Sequence, residues 1–262
     1  LLALPALMAG NTVIVKPSEV TPLVGKAVVE SLQETLPPGV LGLLQGDGEV
    51  GKLLVAHKGI DMIGFTGSCA TGRSIMAAAA PDLKRIVLEL GGKDPMVVFA
   101  DADLELAADQ AVQWSLHNCG QVCCAVERVY VAASVAADFE NKVKAEASKW
   151  KVGDGVDPAT TIGPMASRMQ RDIVHSHVEK AKRAGARCVL GGELPGSSEK
   201  GNYYPATVLT DVPHGALRDE ETFGPVAAIV PFDTEDEVVA RANDTEYGRV
   251  AYLHAMHPRR IY

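Results

Sequence analysis

The sequence predicts an α/β protein in two successive parts: a parallel sheet with helices on both faces over residues 1–91, then a second α/β unit over 92–262. Two observations carry this. Short β-branched apolar runs alternate with helical stretches through the first ninety residues, and parallel neighbours need such crossovers. The pair Gly91-Gly92 then interrupts the pattern, and a fresh alternation begins. With 262 residues, 47 % of them hydrophobic and 22 % charged, the chain is long and apolar enough for one large core or two smaller ones.

Asn11 to Lys16 reads as a buried strand, and Thr21-Pro22 opens a helix, Thr21 as N-cap and Pro22 in the first turn. Leu36-Pro37-Pro38-Gly39 ends it. There follow a strand Val40 to Leu44, a glycine-bearing turn Gly46 to Gly51, a helix to about His57 and a strand Met62 to Phe65. A turn at Thr66-Gly67-Ser68, a helix Gly72 to Ala79 and a strand Arg85 to Leu90 complete the first part. The second part reads as strand Met96 to Phe99, a helix after Asp101 to about Asn118, and strand Val129 to Ala132. Amphipathic helices follow over Ser134 to Trp150 and Ala166 to Ala184, with strands near Cys188 to Leu190, Thr207 to Thr210 and Val226 to Phe232 and a helix from Glu235 to Ala242. Gly191 to Tyr203 reads as a surface excursion. Ligands in such sheets bind at the carboxyl ends of the strands.

The formal net charge is −8 and the basic residues are scattered singly, which argues against a nucleic-acid or anionic-membrane surface and for small-molecule partners. Five cysteines, an odd number without a C-x-x-C pair, favour neither a disulfide framework nor a zinc knuckle. They fit a reducing compartment, with the cytoplasm favoured and an organelle left open because the N-terminus is missing. The apolar stretch Leu1 to Ala9 is too short to span a bilayer, and a start without methionine reads as the interior of something longer.

Two residues stand out chemically. Cys123 lies in Gly120-Gln121-Val122-Cys123-Cys124-Ala125, and Glu89 in Leu88-Glu89-Leu90-Gly91-Gly92-Lys93. A thiolate attacks carbonyls, and a carboxylate can take a proton from the thiol or from a later water. Read alone, Cys123 is equally a small buried hydrophobe, which suits its neighbour Cys124 better, and Glu89 is equally a solvated strand-end carboxylate. Gly46-Asp47-Gly48-Glu49-Val50-Gly51 matches G-x-G-x-x-G after a strand, a weak signal. Lys16 and Glu19 read as a mixed-charge turn, Glu221 and Phe223 as a helix-end charge and a core aromatic. His175 and His177, two apart on a helix, point to different faces and read as solvated rather than metal ligands. Asp101 and Asp103 read as helix-start acids.

Six ordered motifs give the chain a resemblance to the NAD(P)-dependent aldehyde dehydrogenase superfamily from about Leu4 to Gly248. They are Ala9 to Glu19 (AGNTVIVKPSE), Phe65 to Ser68 (FTGS), Leu88 to Lys93 (LELGGK), Gly120 to Cys123 (GQVC), Glu220 to Val226 (EETFGPV) and Ala242 to Gly248 (ANDTEYG). The resemblance implies an aldehyde dehydrogenase-like fold, with a Rossmann-type cofactor domain followed by an α/β catalytic domain incomplete at its C-terminus. It makes Cys123 the nucleophile, its backbone N–H an oxyanion donor, and Glu89 the base that hydrolyses a thioester to a free acid. Relatives that pass the acyl group to coenzyme A generally lack that glutamate.

The resemblance also assigns the cofactor. Lys16, Ser18 and Glu19 go to the adenosine end, where Glu19 favours NAD over NADP, and Gly67 and Ser68 go to phosphate. Leu90 and Gly91 line the cleft, with Gly91 and Gly92 leaving it space. Glu221 and Phe223 go to the nicotinamide ribose and ring. No metal is expected, and a homo-oligomer is expected at full length. The family's upstream oxyanion-asparagine segment and downstream subunit-pairing segment are not in this chain, and the tail from Arg249 departs from the pattern. The alternatives are therefore a non-catalytic or truncated relative, poorly folded or inactive by itself, and a specialised semialdehyde or amino-aldehyde dehydrogenase.

Overall fold

The structure, a computed structural model, describes residues 2–196, 200–216 and 220–257. The chain divides into two compact units, Leu1–Gly91 and Gly92–Tyr262. In the first, helix α1 (Ala3–Met8) precedes β1 (Val13–Val15), α2 (Pro22–Gln33), β2 (Leu41–Leu43), α3 (Gly48–Ala56), β3 (Met62–Thr66), α4 (Cys69–Ala79) and β4 (Arg85–Glu89). The expected alternation is present, with β1 parallel to β2 and β3 parallel to β4, but these are two separate pairs rather than one sheet. Thr21 stands at the N-cap position of α2 without a side-chain cap bond, and Pro22 stands in its first turn.

The Gly46 to Gly51 turn is corrected: the helix already begins at Gly48, because Asp47 accepts the Glu49 N–H and caps it. Helix α1 falls in the Leu1 to Ala9 stretch, which carries no strong periodicity.

The second unit holds a six-stranded sheet in the order β10-β5-β6-β9-β8-β7, formed by β5 (Asp94–Val98), β6 (Val126–Ala132), β7 (Arg187–Leu190), β8 (Thr207–Thr210), β9 (Val226–Phe232) and β10 (Tyr252–His254). All neighbours are parallel except β7 and β8. Every residue of β5 and β6 is buried, as expected of strands covered on both faces. The helices α5 (Leu104–Leu116), α6 (Ala136–Ala147), α7 (Arg168–Arg183) and α8 (Glu235–Asn243) bury stripes at helical spacing. In α6 these are Phe139, Val143 and Ala147, and in α7 Val174, Val178 and Ala181. Part of the Gly191 to Tyr203 excursion, residues 197–199, lies outside the described residues.

The described part of the tail, residues 249–257, packs onto the second unit. β10 pairs with β5 at Tyr252↔Met96, and the His257 N–H donates to Asp101 (3.0 Å). Asp101 thus anchors the tail, whereas Asp103 caps α5 by accepting the Glu105 and Leu106 N–H groups. Among the described residues no helix is long and apolar enough to cross a membrane.

Candidate active site

In the second unit, α5 ends at Leu116 and the chain passes through three consecutive left-handed residues, Asn118 (φ 52°), Cys119 (φ 59°) and Gly120 (φ 67°). Cys119 costs about 1–2 kcal/mol in this region, which an asparagine such as Asn118 tolerates better. Local bonds offset that cost. The Asn118 carbonyl accepts the Gln121 N–H and side-chain amide, the Asn118 amide donates to the Gln121 carbonyl, and Gln121 Oε1 accepts the Ala166 N–H. Gly120 is obligatory, since a Cβ there would lie 2.0 Å from the Gly224 carbonyl oxygen.

This run delivers a turn, Val122 to Ala125, closed by the Ala125 N–H on the Val122 carbonyl (2.9 Å), with Cys123 and Cys124 at its two central positions. Both cysteines are half-buried, so Cys124 is no more enclosed than Cys123; the buried thiol is Cys119. Burial pushes the Cys119 thiol up to about 11, and its Sγ donates to the Gly163 carbonyl. The Cys123 backbone N–H makes no hydrogen bond among the described residues. Tyr252 of β10 donates its hydroxyl to the Cys124 carbonyl (2.9 Å) and so fixes the turn from the edge strand.

Gly92 packs directly on this turn: a Cβ there would sit 2.4 Å from the Cys123 carbonyl oxygen. The space expected at Gly92 for a ligand is filled by the chain's own backbone. Next to it, Asp94 is 1 % exposed, accepts the Val250 N–H with one oxygen (3.2 Å), and has no hydrogen-bond partner for the other among the described residues.

Burial pushes the Asp94 carboxyl up to about 6, against the pull of the Val250 bond and of Arg249. The native state thus keeps this proton between about pH 4 and 6 while the unfolded chain loses it. Its stabilisation is full below about pH 4 and is lost as pH rises through 6, by about 3 kcal/mol. Asp94→Asn is expected to flatten the fall in urea-unfolding free energy between pH 4 and 7.5. Superimposable pH dependences of variant and parent would contradict this.

Glu221 and Phe223 sit in the same unit. Glu221 Oε1 accepts the Gly92 N–H (3.1 Å), and burial raises its carboxyl above the ordinary range. Phe223 is left-handed (φ 50°), and its N–H donates to Glu127 (2.8 Å).

In the first unit the remaining candidates stand at strand carboxyl ends. Glu89 closes β4 and its carbonyl accepts the Gly67 N–H (3.1 Å), which brings Gly67 and Glu89 side by side. Ser68 caps α4, its hydroxyl accepting the Thr71 N–H. With those groups committed, the open donors at the start of α4 among the described residues are the Ser68, Cys69 and Ala70 N–H groups. Leu90 packs on α4, where a Cβ at Gly72 would lie 2.8 Å from it, and Gly91 follows. Lys16 Nζ bridges the Pro17 and Gly46 carbonyls (2.8 Å each) and stands 3.7 Å from the exposed Glu19 carboxylate. Ser18 accepts the Val20 N–H. A cleft of about 560 Å³ lined by Lys58, Asp61, Asp82 and Arg85 opens at the amino ends of β3 and β4, away from these residues.

The family model for the aldehyde dehydrogenase family matches residues 2–262. The chain belongs to the aldehyde dehydrogenase family. A betaine aldehyde dehydrogenase of Rhizobium leguminosarum is 44 % identical over 249 residues, 94 % of this chain and 51 % of that protein. The crystal structure of Staphylococcus aureus betaine aldehyde dehydrogenase in complex with NAD+ superposes with a TM-score of 0.92 at 38 % identity, covering 97 % of this chain and 52 % of that one. An Escherichia coli NADP-dependent enzyme gives 0.94 at 39 %, covering 98 % and 54 %. The α/β aldehyde dehydrogenase fold is thereby established, and the chain spans about half the length of the curated relatives it matches.

For an aldehyde dehydrogenase chain, several supporting residues escaped the sequence. His175 and His177 are not solvated: His175 meets the Tyr204 hydroxyl (3.2 Å), and His177 meets Glu220 (3.2 Å) and Thr222 (3.4 Å). Burial holds His177 below its usual range. Lys93, Glu127 and Gln170 were also missed, although the charged pair Glu127-Arg128 inside an otherwise apolar strand is a readable sign of buried partners. Among the described residues no cluster of three or more His, Cys, Asp or Glu could hold a metal ion.

Proposed function

We propose that the protein oxidises an aldehyde to a carboxylic acid with NAD as hydride acceptor, through covalent intermediates on Cys123. The observation that carries this reading is the half-exposed Cys123 at the head of a tightly held turn, with its own backbone N–H uncommitted. The thiolate adds to the aldehyde carbon, and that N–H donates to the oxyanion that develops. Bound NAD would supply the hydride acceptor for that carbon, with the acyl group held on the Cys123 sulfur as a thioester. Glu89 then takes a proton from the water that hydrolyses the thioester, releasing the acid and the thiolate.

The donor set present suits a dinucleotide. Glu19 is an exposed carboxylate for the adenosine ribose, with Lys16 and Ser18 shaping its turn. Gly67 and Ser68 take the pyrophosphate together with the helix start, where the Ser68, Cys69 and Ala70 N–H groups have no hydrogen bond among the described residues. Glu221 keeps one oxygen beyond its bond to Gly92 for the nicotinamide ribose, and the resemblance gives Phe223 to the ring and Leu90 and Gly91 to the cofactor. On this reading residues 1–91 form a dinucleotide-binding domain and 92–262 a catalytic one. The full-length protein assembles as a homo-oligomer.

A carboxylate at Glu19 accepts from a ribose 2′-hydroxyl and repels a 2′-phosphate. In the full-length protein NAD is therefore expected to bind at least about tenfold more tightly than NADP, with Glu19→Gln narrowing the gap. Calorimetric titration showing equal affinity for both in the parent would remove the assignment. The betaine aldehyde dehydrogenase relatives favour a small amino-aldehyde as substrate, a second reading that an aldehyde panel decides by kcat/KM.

A further inference from the structure

Lys93 and Glu127 form a buried ion pair of 2.5 Å, with side chains 0 % and 7 % exposed. Such a pair costs desolvation energy and persists where further hydrogen bonds compensate. Here they do. The Glu127 carboxylate also accepts the Thr222 N–H (2.7 Å) and the Phe223 N–H (2.8 Å), and Lys93 donates to the Thr222 hydroxyl (3.1 Å). Gln170 donates its side-chain amide to the Thr222 and Phe223 carbonyls (3.0 and 3.3 Å). All four backbone polar groups of Thr222 and Phe223 are therefore held by side chains.

The aim of Glu127 comes from an irregularity in the sheet. β5 pairs Asp94 with Val126 but Pro95 with Arg128, so Glu127 is the extra residue of a bulge. Bulges re-aim side chains beside functional sites, and a proline in a central strand is tolerated at such a break. Arg128 locks the same place by donating to the Lys93 carbonyl and to those of Arg241 and Ala242 at the end of α8.

We propose that Lys93 and Glu127 are positioning residues for cofactor binding: through the Thr222-Phe223 backbone they fix left-handed Phe223 and its neighbour Glu221 for the nicotinamide end of NAD. This rests on the assignment of Glu221 and Phe223 given above, and the pair touches neither cofactor nor substrate itself.

The test is calorimetric NAD binding and steady-state kinetics on the full-length protein, comparing the parent, the double variant Lys93→Met with Glu127→Gln, and Glu221→Gln. Removing both charges together avoids a lone buried ion, and one oxygen of a glutamine cannot reproduce both bonds to the loop. The double variant is expected to bind NAD about tenfold more weakly and to raise the NAD KM, with the aldehyde KM and unfolding midpoint near parental values. Should it not fold, Glu127→Asp retains a counter-charge for Lys93 with a stem too short to reach both N–H groups, and the same weakening is expected. Parental NAD affinity in a folded variant would overturn the proposal. Weaker binding in the double variant without weakening in Glu221→Gln would also overturn it, and would place the fault in the ribose assignment.

Discussion

Cys123→Ser in the full-length protein is expected to abolish aldehyde oxidation, by at least about a thousandfold in kcat, while NAD affinity stays at the parental value. The serine fits the turn, because neither the Ala125 to Val122 closure nor the Gly92 contact involves the side chain. What changes is nucleophilicity. Sulfur is the far stronger nucleophile, and a serine alcohol without an adjacent base is a weak one. Cys124 and Cys119 offer no substitute. Cys124 shares the turn but sits at a different position on it, and burial holds Cys119 protonated. Substantial turnover in Cys123→Ser would end the nucleophile assignment.

Glu89→Gln is expected to separate the two halves of the reaction. Addition and hydride loss need no base at the end of β4, so a first turnover should release about one NADH per site. Hydrolysis of the thioester should then slow by about a hundredfold to ten-thousandfold, the usual range for a general base. The isosteric amide leaves the backbone bond between Glu89 and Gly67 in place. A rapid-mixing trace should thus show a burst followed by a slow phase. A variant that turns over at the parental rate, without a burst, would transfer the base role elsewhere.

What the sequence disclosed was mostly local. β8 and β9 occupy the expected residues because short runs dominated by apolar and β-branched residues mark buried strands, and α2 begins where expected because Pro22 suits the first turn, although Thr21 makes no side-chain cap bond. Asp47 shows the limit of a motif: G-x-G-x-x-G suggested a loop, yet one side-chain bond to Glu49 starts the helix inside it. Non-local features stayed hidden. β10 is three residues long and is defined by a partner more than 150 positions away. The histidines of α7 looked solvated because Tyr204, Thr222 and Glu220 reach them from distant segments.

The candidate site divides the same way. Cys123 and Glu89 announce themselves by residue type and glycine neighbours. The bulge that turns Glu127 toward Thr222, and the 2.4 Å approach that excludes any side chain at Gly92, exist only once strands are paired.

The most direct measurement is mass spectrometry of the full-length Glu89→Gln protein quenched during turnover with aldehyde and NAD, followed by peptide mapping. The expected result is an acyl group on the Cys123 sulfur, at close to one per site. An acyl group on another residue, or none while NADH is still formed, would contradict the account.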